Sequence, residues 1–276
     1  MPLYQAIVLA IVQGLTEFLP ISSTAHLALF PWLLGWKDPG LTFDVALHAG
    51  TLFAVLVYFR REWISMFRAL LGRNDPVGPE VTAQNRRLFW YVFLGTIPAG
   101  LAGFMFEDAA ESTLRHPLLI GAALVLIGLV MWAGDRLRTH RNDMAHVGLV
   151  DALIIGVAQA CAVIPGVSRS GATMTAGLFR GLTRDVAARF SFLLSTPIIG
   201  GAALKKAWEI HHEGIPSEIV LPFVVGIVVA AIVGYLAIAG LIRYLERRTF
   251  GVFVIYRIGL GMLVLALGWG LHHHLG

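Results

Sequence analysis

The chain has 276 residues, of which 57% are hydrophobic and only 14% charged. A soluble domain carries roughly 25% charged residues, so this composition, with a mean hydropathy of +0.74, excludes a water-soluble fold and describes a chain solvated by lipid. The formal charge of +4 does not argue for a nucleic-acid partner, and none is expected, because the basic residues cluster beside apolar stretches as membrane orientation requires.

Residues 1–35 are apolar but interrupted near their centre by Pro20, Ser22, Ser23 and Thr24. Met1 to Ala10 lacks the basic start of a cleaved signal, so no leader is expected here. Apolar stretches follow at 41–59, 88–106, 117–134, 190–204, 219–242 and 250–271, close to the roughly 20 residues that cross a hydrocarbon core. The fourth reaches that length if its helix starts near Arg184 and ends near Trp208. Six spans result. The segment 148–180 is again apolar and broken, here around Pro165. It holds the single cysteine, Cys161, which can form no intrachain disulfide and reads as a small core residue.

Charge sets the orientation. Loop 60–87 holds Arg60, Arg61, Arg68, Arg73, Arg86 and Arg87 against Glu62, Asp75 and Glu80, and belongs in the cytoplasm. The next loop, with Glu107, Asp108, Glu111 and Arg115, is net acidic and belongs outside. Basic segments recur at Arg136, Arg138 and Arg141, at Arg180, Arg184 and Arg189, and at Arg243, Arg247 and Arg248; Lys205, Lys206 and the turn His211-His212-Glu213 then lie outside. Both flanks of 148–180 are basic, so this segment enters from the cytoplasm and returns to it. By the same reasoning, residues 1–40 dip in from outside and return there.

The predicted fold is an all-α integral membrane protein with six transmembrane helices plus two re-entrant helical hairpins, arranged as inverted-topology repeats within one membrane domain. Residues 1–135 form the first repeat and 148–276 the second, each a hairpin followed by three spans. An odd number of spans inverts the second copy, and the two broken hairpins meet near the midplane. The breaks also resemble each other: Gln13 lies nine residues before Ser22, and Gln159 nine residues before Ser168, with a proline in between.

Gln13 and Glu17 are spaced i, i+4 and share one helix face. A carboxylate in an apolar hairpin requires a cation, a metal or a proton, unless it hydrogen-bonds a neighbouring helix for packing. After Pro20, Ser22, Ser23 and Thr24 read as the start of a second half-helix, whose free N–H groups and positive dipole end can hold an anion. Ser23 and His26 stand one turn apart, a spacing at which an imidazole can activate a serine hydroxyl; the hydroxyls could equally serve only as caps. In the second break, Gly166 and Gly171 permit close backbone approach, and Ser168, Ser170 and Thr173 offer hydroxyl donors. Arg169 brings a planar fork suited to phosphate oxygens. Its partner at this depth is either Glu17, as an ion bridge, or a bound pyrophosphate. His48 faces either the cavity or the core, and Asp44 and Asp151 suit helix starts. The terminal His272-His273-His274 is excluded from any metal site.

The segments Gln13-Gly14-Leu15-Thr16-Glu17, Phe18-Leu19-Pro20-Ile21-Ser22-Ser23-Thr24-Ala25-His26 and Pro165-Gly166-Val167-Ser168-Arg169-Ser170-Gly171-Ala172-Thr173 together resemble the bacterial undecaprenyl-pyrophosphate phosphatase family linked to bacitracin resistance, over nearly the whole chain. The resemblance implies a membrane hydrolase that removes the terminal phosphate of a C55 polyprenyl diphosphate and so recycles the carrier lipid of cell-wall synthesis. It implies that Glu17, Ser23, His26 and Arg169 are active-site residues, and that a divalent cation, Mg2+ or Ca2+, supports activity. Gln13 and Glu17 are the candidate ligands; because Gln13 brings no charge, such a cation would lean on the diphosphate itself. Gln13, Ser22, Thr24, Gly166, Ser168, Ser170, Gly171 and Thr173 are the candidate substrate contacts. The expected place is the bacterial cytoplasmic membrane with the site toward the outer face, and a homodimer is left open. The nucleophile is Ser23, His26 or water. The rival from another class is a polyprenyl-phosphate flippase built on the same inverted repeats.

Overall fold

The computed structural model describes residues 1–106, 114, 116–137, 143–214 and 217–274, with the side chains of 41, 213, 217, 218 and 269–274 left out. The expected positions of Glu107, Asp108, Glu111, Arg115, Arg138 and Arg141, and the side chains of Glu213, His272, His273 and His274, therefore lie outside the described residues.

Two short helices open the chain, α1 (Leu3–Thr16) and α2 (Ser23–Leu34). Three spans follow: α3 (Leu41–Tyr58), which continues at a sharp bend into α4 (Arg60–Leu70), then α5 (Pro79–Met105) and α6 (Pro117–Leu137). The order then recurs. Helix α7 (Leu149–Ala160), with a 3-10 turn Cys161–Val163, and α8 (Arg169–Phe179) make a second hairpin, and α9 (Arg184–Glu213), α10 (Ser217–Leu245) and α11 (Gly251–His274) are the remaining spans. Five of these helices are long and apolar enough to cross a membrane, six if α3 and α4, bent by 73°, count as one span, so the protein is multi-pass. The range of α9 matches the extension to Arg184 anticipated from sequence.

The expected loop 60–87 is instead largely helical. In α4, Trp63, Met66 and Ala69 recur every third residue and are buried, while Arg60 and Arg61 are exposed, so this stretch turns along the end of the bundle. Cys161 also departs from expectation: it is exposed on the surface of its hairpin.

Both hairpins return to the end they came from. Met1, Pro2, Gly35 and Lys37 line one cavity together with Lys206 and Gly214, so α1 begins and α2 finishes where α9 finishes. At the other end, Arg180 Nε donates to Asp151 Oδ1 at 2.6 Å and joins the two ends of the second hairpin. Arg184 at the start of α9 binds Asp135 there, also at 2.6 Å. Helix α9 separates the two ends by about 45 Å at 1.5 Å per residue.

Packing crosses between the halves. Helix α1 lies on α10 and α7 on α5, so each hairpin packs on the second span of the other half, while α6 pairs with α11. The α5–α7 crossing depends on glycine: a Cβ on Gly156 would sit 2.0 Å from the Gly95 carbonyl oxygen. Over the crossing helices, Phe18, Phe59, Phe190, Phe192 and Phe250 fill one shared core.

Candidate active site

Each hairpin breaks at a proline that precedes a hydroxyl-rich helix start. Pro20 and Pro165 lack the donor and fix φ, and the chain reverses through Ser22 at φ 75° and Ser168 at φ 69°, the non-glycine residues with positive φ among those described. Such a conformation costs an L-residue roughly 1–3 kcal/mol and persists only where the surroundings over-determine it. Here the serines cap the second half-helices: Ser22 Oγ accepts from the Ala25 N–H at 3.4 Å, and Ser168 Oγ from the Gly171 N–H at 3.1 Å.

The two breaks then bind each other. Gly166 N–H donates to Ser22 Oγ at 3.2 Å, and Ser170 Oγ donates to the Leu19 carbonyl at 3.1 Å. Arg257 of α11, with no exposed surface, donates to the carbonyls of Pro20 (3.1 Å), Gly166 (2.7 Å) and Val167 (3.1 Å). A buried guanidinium held by carbonyl oxygens from both breaks ties the hairpins into one structure.

At the centre is Glu17, with a side chain 4% exposed. Its Oε1 pairs with Arg169 Nη2 across the two halves. Its Oε2 accepts from Ser23 Oγ at 2.5 Å and Gln13 Nε2 at 2.9 Å, and lies 3.3 Å from His48 Nε2. Acid, alcohol and guanidinium thus converge in one buried polar hollow. Gln13 Oε1 is buried without a partner, so a carbonyl oxygen of the type that hard cations take stands beside the carboxylate. Groups of three or more acidic, histidine or cysteine side chains suited to a metal are absent among the described residues.

Several sequence expectations change at this point. His26 does not meet Ser23: its Nδ1 bonds the Ser22 carbonyl at 2.7 Å and its Nε2 bonds Tyr256 Oη at 2.7 Å, with the two rings stacked. Chain reversal is the reason, because it brings the last turn of α1 closer to Ser23 than the next turn of α2. Arg169 takes the ion-bridge alternative, and the hydroxyls of Ser22, Ser168 and Ser170 serve as caps and ties. Thr173 Oγ1 donates to the Arg169 carbonyl at 2.8 Å and contacts Ser191 Oγ at 2.6 Å, which holds the turn that carries Arg169. Thr24 is exposed at the hollow's edge and touches Ser22 Oγ at 3.2 Å. Close packing at Gly171 is explained by Arg257, whose Nη1 would lie 3.2 Å from a Cβ there. Asp151 does start its helix, accepting the Gly148 N–H at 2.9 Å. Tyr256 and Arg257 belong to none of the sequence motifs, although an isolated cation within the apolar stretch 250–271 is itself a signal of a buried polar role.

Separately, a cavity of about 710 Å³ opens at the end where α1 begins, lined by Gln5, Trp36, Lys37, Phe43 and Lys206 among others, and none of the Glu17 cluster borders it.

Fold and site together define a multi-pass helical membrane protein whose buried acid, alcohol and guanidinium groups are assembled from two broken hairpins. The chain belongs to the family described as Bacitracin resistance protein BacA, whose model matches residues 6–263. It is 50% identical to the undecaprenyl-diphosphatase of Moorella thermoacetica over 269 residues, covering 98% of this chain and 99% of that protein. Similar relatives are the undecaprenyl-diphosphatases of Gemmatimonas aurantiaca, 48% identical over 96% of this chain and 98% of the other, and of Geobacter sulfurreducens, 47% identical over 96% and 98%.

Proposed function

We propose that this protein hydrolyses undecaprenyl diphosphate to undecaprenyl monophosphate and phosphate, which returns the carrier lipid to cell-wall synthesis. The observation that carries the reading is the buried Ser23–Glu17–Arg169 array, found in a chain that shares half its residues with a relative named for this reaction. A flippase needs an anion pocket, but has no use for a serine hydroxyl held 2.5 Å from a carboxylate oxygen.

In the reaction, Ser23 Oγ attacks the terminal phosphorus and its proton passes to Glu17 Oε2. The new Oγ–P bond forms as the bond from phosphorus to the bridging oxygen breaks, and the lipid leaves as its monophosphate. The oxygen of a water molecule then attacks the phosphoserine phosphorus as the Oγ–P bond breaks, the proton held on Glu17 returns to Ser23 Oγ, and phosphate leaves with the water's oxygen and protons. Arg169 turns its fork from Glu17 to the phosphoryl oxygens, where transition-state charge develops. Backbone N–H groups at the starts of α2 and α8 add further donors, and Thr24 lies at the entrance. A divalent cation, Mg2+ or Ca2+, would be held by Gln13 Oε1 and Glu17 with the diphosphate supplying further oxygens, and would neutralise charge on those oxygens.

Residues 1–135 and 148–276 are best read as inverted repeats, a reading supported by the exchanged packing of α1 on α10 and α7 on α5, and by the matching Ser22 and Ser168 caps. The first hairpin opens at the end away from Arg180, Arg184 and the α4 arginines, and the positive-inside bias supports reading its mouth as facing the outer side of the bacterial cytoplasmic membrane. Phosphate release from undecaprenyl diphosphate by the purified protein in detergent tests the reading. The micelle has no two sides, so a pure flippase releases none.

A further inference from the structure

His48 belongs to α3, outside both hairpins, yet its Nε2 reaches Glu17 Oε2 at 3.3 Å while its Nδ1 bonds the Asp44 carbonyl at 2.7 Å. The ring faces a carbonyl on one side and a carboxylate on the other, and both are acceptors. It is thereby locked in one orientation and aimed at the oxygen that also receives Ser23. Next to it on the same helix, Thr51 is fully buried and donates back to the His48 carbonyl at 2.9 Å, which fixes this turn of α3. Directly below, Gly50 abuts the Ile227 carbonyl so closely that a Cβ would lie 2.3 Å from it, which pins α3 against α10. These contacts hold this turn of α3 against α10, with His48 Nε2 presented to Glu17.

Arg169 and His48 hold opposite oxygens of the carboxylate. On the hydrolase reading given above, Arg169 must leave Oε1 when phosphoryl oxygens claim its fork. The side chains that then still hold the carboxylate toward Ser23 are the donors on Oε2, namely Gln13 and His48. We propose that His48 is a positioning residue of the hydrolase, holding Glu17 in line with Ser23 after Arg169 has turned to the substrate. Gln13 lies on α1, the helix that Glu17 caps, four residues before it. His48 is anchored on a different element, so it supplies the fixed reference.

The role predicts a particular kinetic signature, because it acts on the chemical step and leaves lipid binding untouched. Replacing His48 by Leu removes the donor, and kcat falls roughly 10- to 100-fold, the scale of a misaligned catalytic group, while KM stays within about threefold. His48→Gln keeps a donor at similar reach, and holds kcat within about threefold of the parent. His48→Asn offers the same amide one methylene short, and behaves as Leu does. In a Glu17→Gln background the Leu change adds no further loss, since the group it positions is already gone. These are measured by phosphate release in detergent, with melting temperature recorded for each variant. A parental kcat in folded His48→Leu overturns the proposal, and so does equal loss in Gln and Asn variants. If the Leu variant does not fold, the Gln and Asn pair decides alone. An inactive parent would refute the hydrolase reading itself, whereas an active parent with indifferent His48 variants refutes only the positioning role.

Discussion

Glu17→Gln is the substitution that separates the roles assigned to this carboxylate. The native group receives four partners, Arg169 on Oε1, and Ser23, Gln13 and His48 on Oε2. An amide of the same shape has one acceptor oxygen and an NH2 that accepts from nothing. If its oxygen faces Ser23, the NH2 opposes the Arg169 guanidinium, donor against donor; if flipped, Ser23, Gln13 and His48 lose their acceptor. Breaking a buried ion pair by removing one partner costs about 3–5 kcal/mol, and because the Arg169 side chain is 17% exposed the lower part of that range applies. Removing the proton acceptor takes away a further factor of roughly 10²–10⁴ in rate. Phosphate release under saturating lipid should therefore fall by at least about 100-fold, with a lower melting temperature in the same detergent. A variant that turns over within about threefold of the parent would show that Glu17 neither accepts the Ser23 proton nor sets its geometry.

Three other outcomes follow from the contacts. Arg169→Lys replaces a fork by a single point donor that cannot span two phosphoryl oxygens, so kcat should fall by roughly 10-fold or more while the protein still folds; normal turnover would remove Arg169 from the reaction. Arg257→Met leaves the Pro20, Gly166 and Val167 carbonyls without their donor, each worth about 1–3 kcal/mol when buried. Both breaks loosen, and melting temperature and turnover should fall together; a stable, active variant would deny Arg257 its tying role. Gly156→Ala puts a methyl 2.0 Å from the Gly95 oxygen, so α5 and α7 must separate and thermal stability drops, which a parental melting curve would contradict.

What could be read from the sequence followed from local rules. The two breaks were visible because proline and hydroxyl residues interrupt apolar runs, and their likeness was visible because Gln13 and Gln159 keep the same nine-residue offset to Ser22 and Ser168. Those offsets place the two positive-φ caps. Arg169 and Glu17 could be paired on paper because few groups at that depth tolerate either charge. Partners brought together by tertiary folding were less legible. Spacing along α2 favoured His26 for Ser23, while the chain reversal through Pro20 delivers Glu17, six residues earlier, at 2.5 Å. Tyr256 approaches His26 from 230 residues away, and no periodicity connects them. Arg257 is satisfied by backbone carbonyls, which have no signature in a residue string. The arginines of 60–87 point by charge to a loop, whereas the threefold spacing of Trp63, Met66 and Ala69 gives α4 a buried helical face.

The central claim is that Ser23, deprotonated by Glu17, forms the bond to phosphorus. Rapid quenching of the protein with substrate labelled in its terminal phosphate, followed by peptide mapping, tests this directly. Label on the peptide carrying Ser23, absent in Ser23→Ala, is the predicted result; label on His26, or a parent that turns over without labelled protein at any quench time, would contradict it.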